Sequence, residues 1–131
     1  MEEKDKDVLT DLGKEYTGVK GKDAIDLLMK EKQGYVKDAF TRKDIGDIAL
    51  VWGDDNMGLQ HIIKRRTETG QNLDKVLRNL TDVIEKGNLE PADKERLQLT
   101  LGNDRAIIDL KFRGNKLQFV LTAFELYKNK N

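Results

Sequence analysis

The chain's 131 residues are enough for one domain with a real core, since a chain this long buries roughly two-thirds of its unfolded surface, and too few for two. Charged and hydrophobic residues each make up 37% of it, which excludes the disordered class, poor in Leu, Ile and Val. The 24 basic and 24 acidic residues cancel and there is no cysteine, so net charge argues for no polyanionic partner, and a disulfide framework or a cysteine zinc site is excluded.

Residues 1–16 are charge-rich with little periodicity and read as a leader or linker, leaving residues 17–131 as a single domain. The opening MEEKDKD lacks the apolar run of a signal peptide, and no stretch approaches the ~20 apolar residues that span a bilayer, so no membrane segment is expected. From Lys22 the apolar positions Ala24, Ile25, Leu27 and Leu28 recur at helical spacing, with Gly34 placed to close a first helix. Val36–Phe40 and Asp47–Trp52 are β-rich runs and predict two strands. Gly53-Asp54-Asp55-Asn56 stops the second run and offers side-chain oxygens as N-caps for a helix over Met57–Arg66. Leu73, Val76, Leu77, Leu80, Val83 and Ile84 then follow the i, i+3, i+4, i+7 pattern, with Gly87 as the stop, and predict a third helix.

The rest of the chain reads as a meander turning at Gly102-Asn103 and at Gly114-Asn115. A two-residue loop at the first turn pairs Leu99 with Ala106 and Leu97 with Ile108. The same loop at the second pairs Phe112, Leu110, Ile108 and Ala106 with Leu117, Phe119, Leu121 and Ala123. All these pairs are apolar, so both turns predict the same buried face, because a one-residue slip would turn every side chain over. The expected fold is therefore α+β, with N-terminal helices packed on a C-terminal antiparallel β meander. Arg105 and Thr122 fall on the opposite, polar face, close to Thr100.

His61 is the one histidine, and in the expected helix Lys64 and Arg65 lie three and four residues on, on its face. Two readings stand. Either the helix shows solvent an ordinary charged stripe, or a titratable imidazole works as general acid or base beside cations that stabilise an oxyanion. Thr122 and Arg105 also have plain readings, as strand propensity and a solvated strand charge. Asp54-Asp55-Asn56 fails the calcium-loop template, since glycine falls one position early and Arg65 stands where Glu is required. No glycine-rich phosphate loop or HExxH is present, so no metal or nucleotide cofactor is expected.

Four segments carry a resemblance: Lys20-Gly21-Lys22-Asp23-Ala24-Ile25-Asp26, Gly46-Asp47-Ile48-Ala49-Leu50-Val51-Trp52-Gly53-Asp54, Gly58-Leu59-Gln60-His61-Ile62-Ile63 and Leu121-Thr122-Ala123-Phe124-Glu125. In this order, from about Thr17 to Lys128, the chain resembles the phage-associated branch of the barnase, EndoU, colicin and RelE-like ribonuclease superfamily. The second and third segments are the specific ones. The resemblance implies helices against a four-stranded antiparallel sheet, and metal-free cutting of RNA by attack of a 2′-hydroxyl on the neighbouring phosphate. It gives His61 the acid/base role, puts Arg105 and Thr122 beside the scissile phosphate, and leaves Lys64, Arg65 and Arg66 to bind substrate. Proteins of the family it resembles often carry a second histidine shortly after the first, where this chain has Arg66. The second proton-transfer group is thus unassigned, with Glu125 or a cation as candidates.

The resulting expectation is a metal-independent endoribonuclease, toxin-like and of phage or mobile-element origin. Its partners would be RNA and an immunity or antitoxin protein, and it would act in the bacterial cytoplasm or be delivered with a phage particle. Two alternatives stand beside it: a non-catalytic RNA-binding or protein-interaction module on the same fold, and a structural domain of a phage polyprotein. RNA held only by Lys64, Arg65, Arg66 and Arg105 would bind weakly, with a log–log salt slope of about −1.5 to −3.

Overall fold

The computed structural model describes residues 12–112 and 115–126. Among them are the strands β1 (Glu15–Tyr16), β2 (Tyr35–Arg42), β3 (Gly46–Val51), β4 (Asn88–Asp93), β5 (Arg96–Leu101), β6 (Asp104–Phe112) and β7 (Asn115–Glu125), and the helices α1 (Lys22–Glu31), α2 (Gly58–Thr69) and α3 (Leu73–Lys86). The strands form one seven-stranded sheet in the order β1-β2-β3-β7-β6-β5-β4. The chain is thus α+β, and the antiparallel meander β4–β5–β6–β7 is only one half of its sheet. The N-terminal strands complete it through a parallel junction at Ala49 and Phe119, which the sequence reading did not foresee.

The helical stripes bury against one face of this sheet. Ala24, Ile25 and Leu28 of α1, Leu59 and Ile62 of α2, and Val76, Leu80, Val83 and Ile84 of α3 share a cluster with Phe40, Ile48, Leu50, Leu99, Ala106, Ile108, Val120 and Ala123. A second, smaller cluster gathers Tyr35, Ala49, Val51, Phe112 and Phe119, with Leu117 and Leu121 against it. Phe112 and Phe119 meet edge to face at 6.0 Å, a favoured aromatic geometry.

The β7 side chains divide between the two clusters because β6 and β7 are not regularly paired. The first hairpin has the expected register, with Leu99 opposite Ala106 and Leu97 opposite Ile108. In the second, Ala106 faces Ala123 as expected, but register shifts then place Ile108 opposite Val120, Asp109 opposite Phe119 and Phe112 opposite Asn115. Each bulge turns the following side chains over. Phe119, Leu117 and Leu121 therefore leave the helix-facing side, and Val120 takes their place there. Residue 114 of the expected Gly114-Asn115 turn lies, with residue 113, outside the described residues.

Smaller departures have local causes. Leu12, Glu15 and Tyr16, inside the stretch read as a leader, contribute to the fold: Leu12 is buried, and β1 pairs in parallel with the start of β2. The Tyr35 hydroxyl donates to Glu15 Oε1 at 2.8 Å; burial first, then this bond and charge, push the phenol up to about 12. Helix α1 ends in a left-handed Lys32 rather than at Gly34. Helix α2 runs on to Thr69, closed by a left-handed Gly70, and its N-cap Met57 makes no side-chain cap bond. Asp54 instead accepts the Asn56 N–H at 2.8 Å, stabilising the turn that precedes the helix.

Candidate active site

The connection from β3 to α2 holds the imidazole. After Val51 the chain turns back at Asp54–Met57, where the Asp54 N–H donates to the Met57 carbonyl at 3.0 Å, and α2 opens at Gly58. Gly58 has φ +80°, and a Cβ there would stand 2.6 Å from the Val51 carbonyl oxygen, so only glycine lets the helix start this close to the strand. One turn on, His61 Nδ1 lies 2.6 Å from the Asp55 carbonyl oxygen. Since that oxygen only accepts, Nδ1 carries the proton of this contact and Nε2 is the ring nitrogen it leaves open. The Asp55 carboxylate pairs with Lys64 at 3.1 Å. One loop residue thus holds both the histidine and Lys64.

Arg65 is exposed and stands 3.9 Å from Glu68. Arg66 departs from the expected surface patch: it is 7% exposed. Its guanidinium lies 5.6 Å over the Phe124 ring, a cation–π contact. Its NH1 donates to Gln71 Oε1 at 3.3 Å, and its buried Nε has no partner. No carboxylate pairs with it among the described residues. Burial, and then the charge of Arg65, hold its pKa below the usual arginine value.

Phe124 links Arg66 to the sheet. It faces Arg105 across β6–β7, and Thr122 faces Ile107 two pairs along. Because Ala106 and Ala123 between these pairs point into the main core, Arg105, Ile107, Thr122 and Phe124 point to the other side. Arg105 Nε donates to Thr100 Oγ1 at 3.1 Å, and the Thr122 hydroxyl is buried without a partner. The structure therefore brings Arg66, Arg105, Thr122 and Phe124 to one end of β7. His61 sits five residues before Arg66 on α2, about 7.5 Å along the axis; among the described residues no hydrogen bond joins it to Arg105 or Thr122.

Three members of this arrangement escaped the sequence reading. Asp55 was taken for a helix cap. Phe124 shares the strand face of Thr122 and Arg105, and no spacing in the sequence marks it as the partner of a cation. Gln71 stands between the two helices, outside their apolar spacing, yet its amide accepts the Glu125 N–H at 2.9 Å and donates to the Glu125 carbonyl at 3.1 Å. It thereby acts as a missing strand on the edge of β7 beyond the Ala49–Phe119 junction. Glu125, a candidate for the second proton transfer, is 3.1 Å from Lys75. Among the described residues no three His, Asp or Glu side chains cluster as a metal site.

No curated protein sequence matches the chain. Residues 39–130 match the family described as "phage-Barnase-EndoU-ColicinE5/D-RelE like nuclease1". The match takes in β3, the glycine-flanked turn, His61, Arg66, Arg105 and Thr122, while the Lys20–Asp26 segment lies outside it. It covers well over half of the sequence, and the chain belongs to this phage-associated nuclease family.

Proposed function

We propose that the protein is an endoribonuclease that cuts RNA by attack of a 2′-hydroxyl on the adjacent phosphorus. The observation that carries this reading is the buried Arg66 guanidinium, which has no anionic partner among the described residues and stacks on Phe124, two residues along β7 from the unpartnered Thr122 hydroxyl. A desolvated charge without a counterion is costly, commonly several kcal/mol after relaxation. A scissile phosphate would supply the missing anion, with Arg105 reaching it from β6 and Thr122 donating to a non-bridging oxygen.

In the proposed reaction the 2′-oxygen loses its proton and bonds to phosphorus, the bond from phosphorus to the 5′-oxygen breaks, and that oxygen takes up a proton. The products are a 2′,3′-cyclic phosphate and a 5′-hydroxyl. His61 Nε2 performs one of the two proton transfers, with the tautomer set by the Asp55 carbonyl. The guanidiniums stabilise the charge that builds on the phosphoryl oxygens. No step calls for a metal ion. Lys64 and Arg65 meet flanking phosphates once these displace Asp55 and Glu68.

The test is cleavage of total RNA with EDTA present, with product ends identified. His61→Ala is expected to slow cleavage by about 100 to 10,000-fold, the usual share of one acid/base group. Thr122→Val and Arg105→Ala should each cost about 10 to 1,000-fold, as groups that position or neutralise the phosphate. Thermal melts establish that each variant folds. Undiminished cleavage by a folded His61→Ala protein removes His61 from the chemistry. An unmodified protein that cuts no RNA leaves the non-catalytic module as the function.

A further inference from the structure

Toward the end of β7 remote from Thr122 lies an open groove of about 1110 Å³, bordered by β2, the β4–β5 turn and the facing ends of β6 and β7. It exceeds the ~300–1,000 Å³ of small-molecule pockets and has the scale of a polymer segment. Its charges look balanced, with Lys37, Lys94, Lys111 and Lys116 against Glu15, Asp38, Asp47 and Glu95. Their pairing is not. Each carboxylate has an internal partner: Glu15 accepts from the Tyr35 hydroxyl, Asp38 from Lys20, Asp47 from Thr41, and Glu95 pairs with Lys111. Lys37, Lys94 and Lys116 form no hydrogen bond or salt bridge among the described residues, so the groove presents three uncommitted ammonium groups. Between them lie the apolar side chains of Ile45, Leu110 and Leu117.

We infer that this groove binds a single-stranded stretch of the RNA that flanks the cleaved bond. The inference rests on the endoribonuclease reading for the identity of the ligand. Uncommitted lysines at a groove suit a chain of phosphates, and the apolar side chains between them suit unpaired bases, which a duplex keeps stacked away. Lys116 and Thr122 are six residues apart on β7, about 20 Å at the usual strand rise. A nucleic acid held at Thr122 therefore reaches the groove only if it extends several nucleotides.

The experiment combines direct binding with substrate length. Binding of a 12-nucleotide single-stranded RNA to His61→Ala protein is followed by fluorescence anisotropy against salt, with and without Lys37→Gln, Lys94→Gln and Lys116→Gln together. Removing the three lysines is expected to weaken binding at least tenfold and to make the log–log salt slope shallower by about 2, since each phosphate contact on a single strand contributes about 0.7. A duplex of equal length should bind less tightly than the single strand. In the otherwise unmodified enzyme the same changes should cut the kcat/KM advantage of the 12-mer over a dinucleotide by about the same factor. An unchanged affinity and slope in a folded triple variant overturns the groove assignment and turns the lysines toward an acidic protein partner. Lysine-dependent binding without any cleavage keeps the groove and removes the nuclease reading.

Discussion

Helices α2 and α3 follow each other across a short connection and pack on the same sheet, yet they are built to opposite ends. Helix α3 buries Val76, Leu80, Val83 and Ile84, and Asn72 caps it by accepting the Lys75 N–H. Helix α2 opens without a side-chain cap, and its buried set ends in Arg66 behind Leu59 and Ile62. One helix satisfies its local requirements. The other buries a charge that no carboxylate pairs with among the described residues, and that contrast separates a helix that only holds the fold from one that holds an unmet requirement.

The contrast breaks most visibly in α3. Leu80 is fully buried in the main cluster, so Leu80→Ala should destabilise the protein by about 2–5 kcal/mol, the range for a buried leucine whose cavity does not collapse. Urea unfolding measures it. A loss well below that range would mean that α1 and the sheet close over the gap, and that α3 is not the organising helix.

Arg66 should respond in the opposite direction. Replacing a buried, unpaired charge by an apolar side chain of similar length is often stabilising, and Arg66→Met should raise stability by about 1–3 kcal/mol. RNA cleavage should fall in the same variant. The two readouts moving apart would mark α2 as a site kept at the expense of stability. A variant that loses stability would show that the Phe124 stacking and the bond to Gln71 outweigh the desolvation of the guanidinium.

The sequence made the two helices unequally legible. The apolar spacing of α3 is local information, as is the hairpin at Gly102-Asn103, and both stand as read. The parallel junction of β3 with β7 joins residues far apart in the chain, and no local pattern announces it. The bulges of β7 were also invisible, because Phe119, Val120 and Leu121 are all apolar and fit either register. Arg66 is different. Leu59, Ile62, Ile63 and Arg66 stand at i, i+3, i+4 and i+7, so the helical period itself put position 66 on the inner stripe. Its charge led to a surface reading that the spacing contradicted. His61, Arg105 and Thr122 stand out in the sequence itself as the one histidine and as polar strand positions, and the family resemblance adds their roles. Their neighbours Asp55, Gln71 and Phe124 depend on tertiary contacts that spacing does not encode.

The smallest effect concerns how α3 ends. Its last carbonyls are met from outside, by Arg42 NH1, which donates to the Ile84 and Gly87 carbonyls at 2.8 and 2.9 Å. Asp44 holds that guanidinium in place, accepting from Nε and NH2 at 2.9 Å each. The hydrogen bonds from Arg42 keep the Asp44 carboxyl below the usual carboxylate range. A carboxyl whose folded pKa is depressed adds stability that is present above its unfolded value, near 3.9 for Asp, and lost as pH falls through the lower folded value. Asp44→Asn should therefore melt slightly below the unmodified protein from neutral pH down to about pH 5, and the gap should close below about pH 4 as Asp44 takes up its proton. Melting curves across that range measure the gap, and amide exchange at Gly87 and Asn88 reports whether it arises at the end of α3. A gap that persists unchanged at the most acid pH would mean that Asp44 acts through something other than its charge on Arg42. The helix end would then owe its order to Arg42 alone.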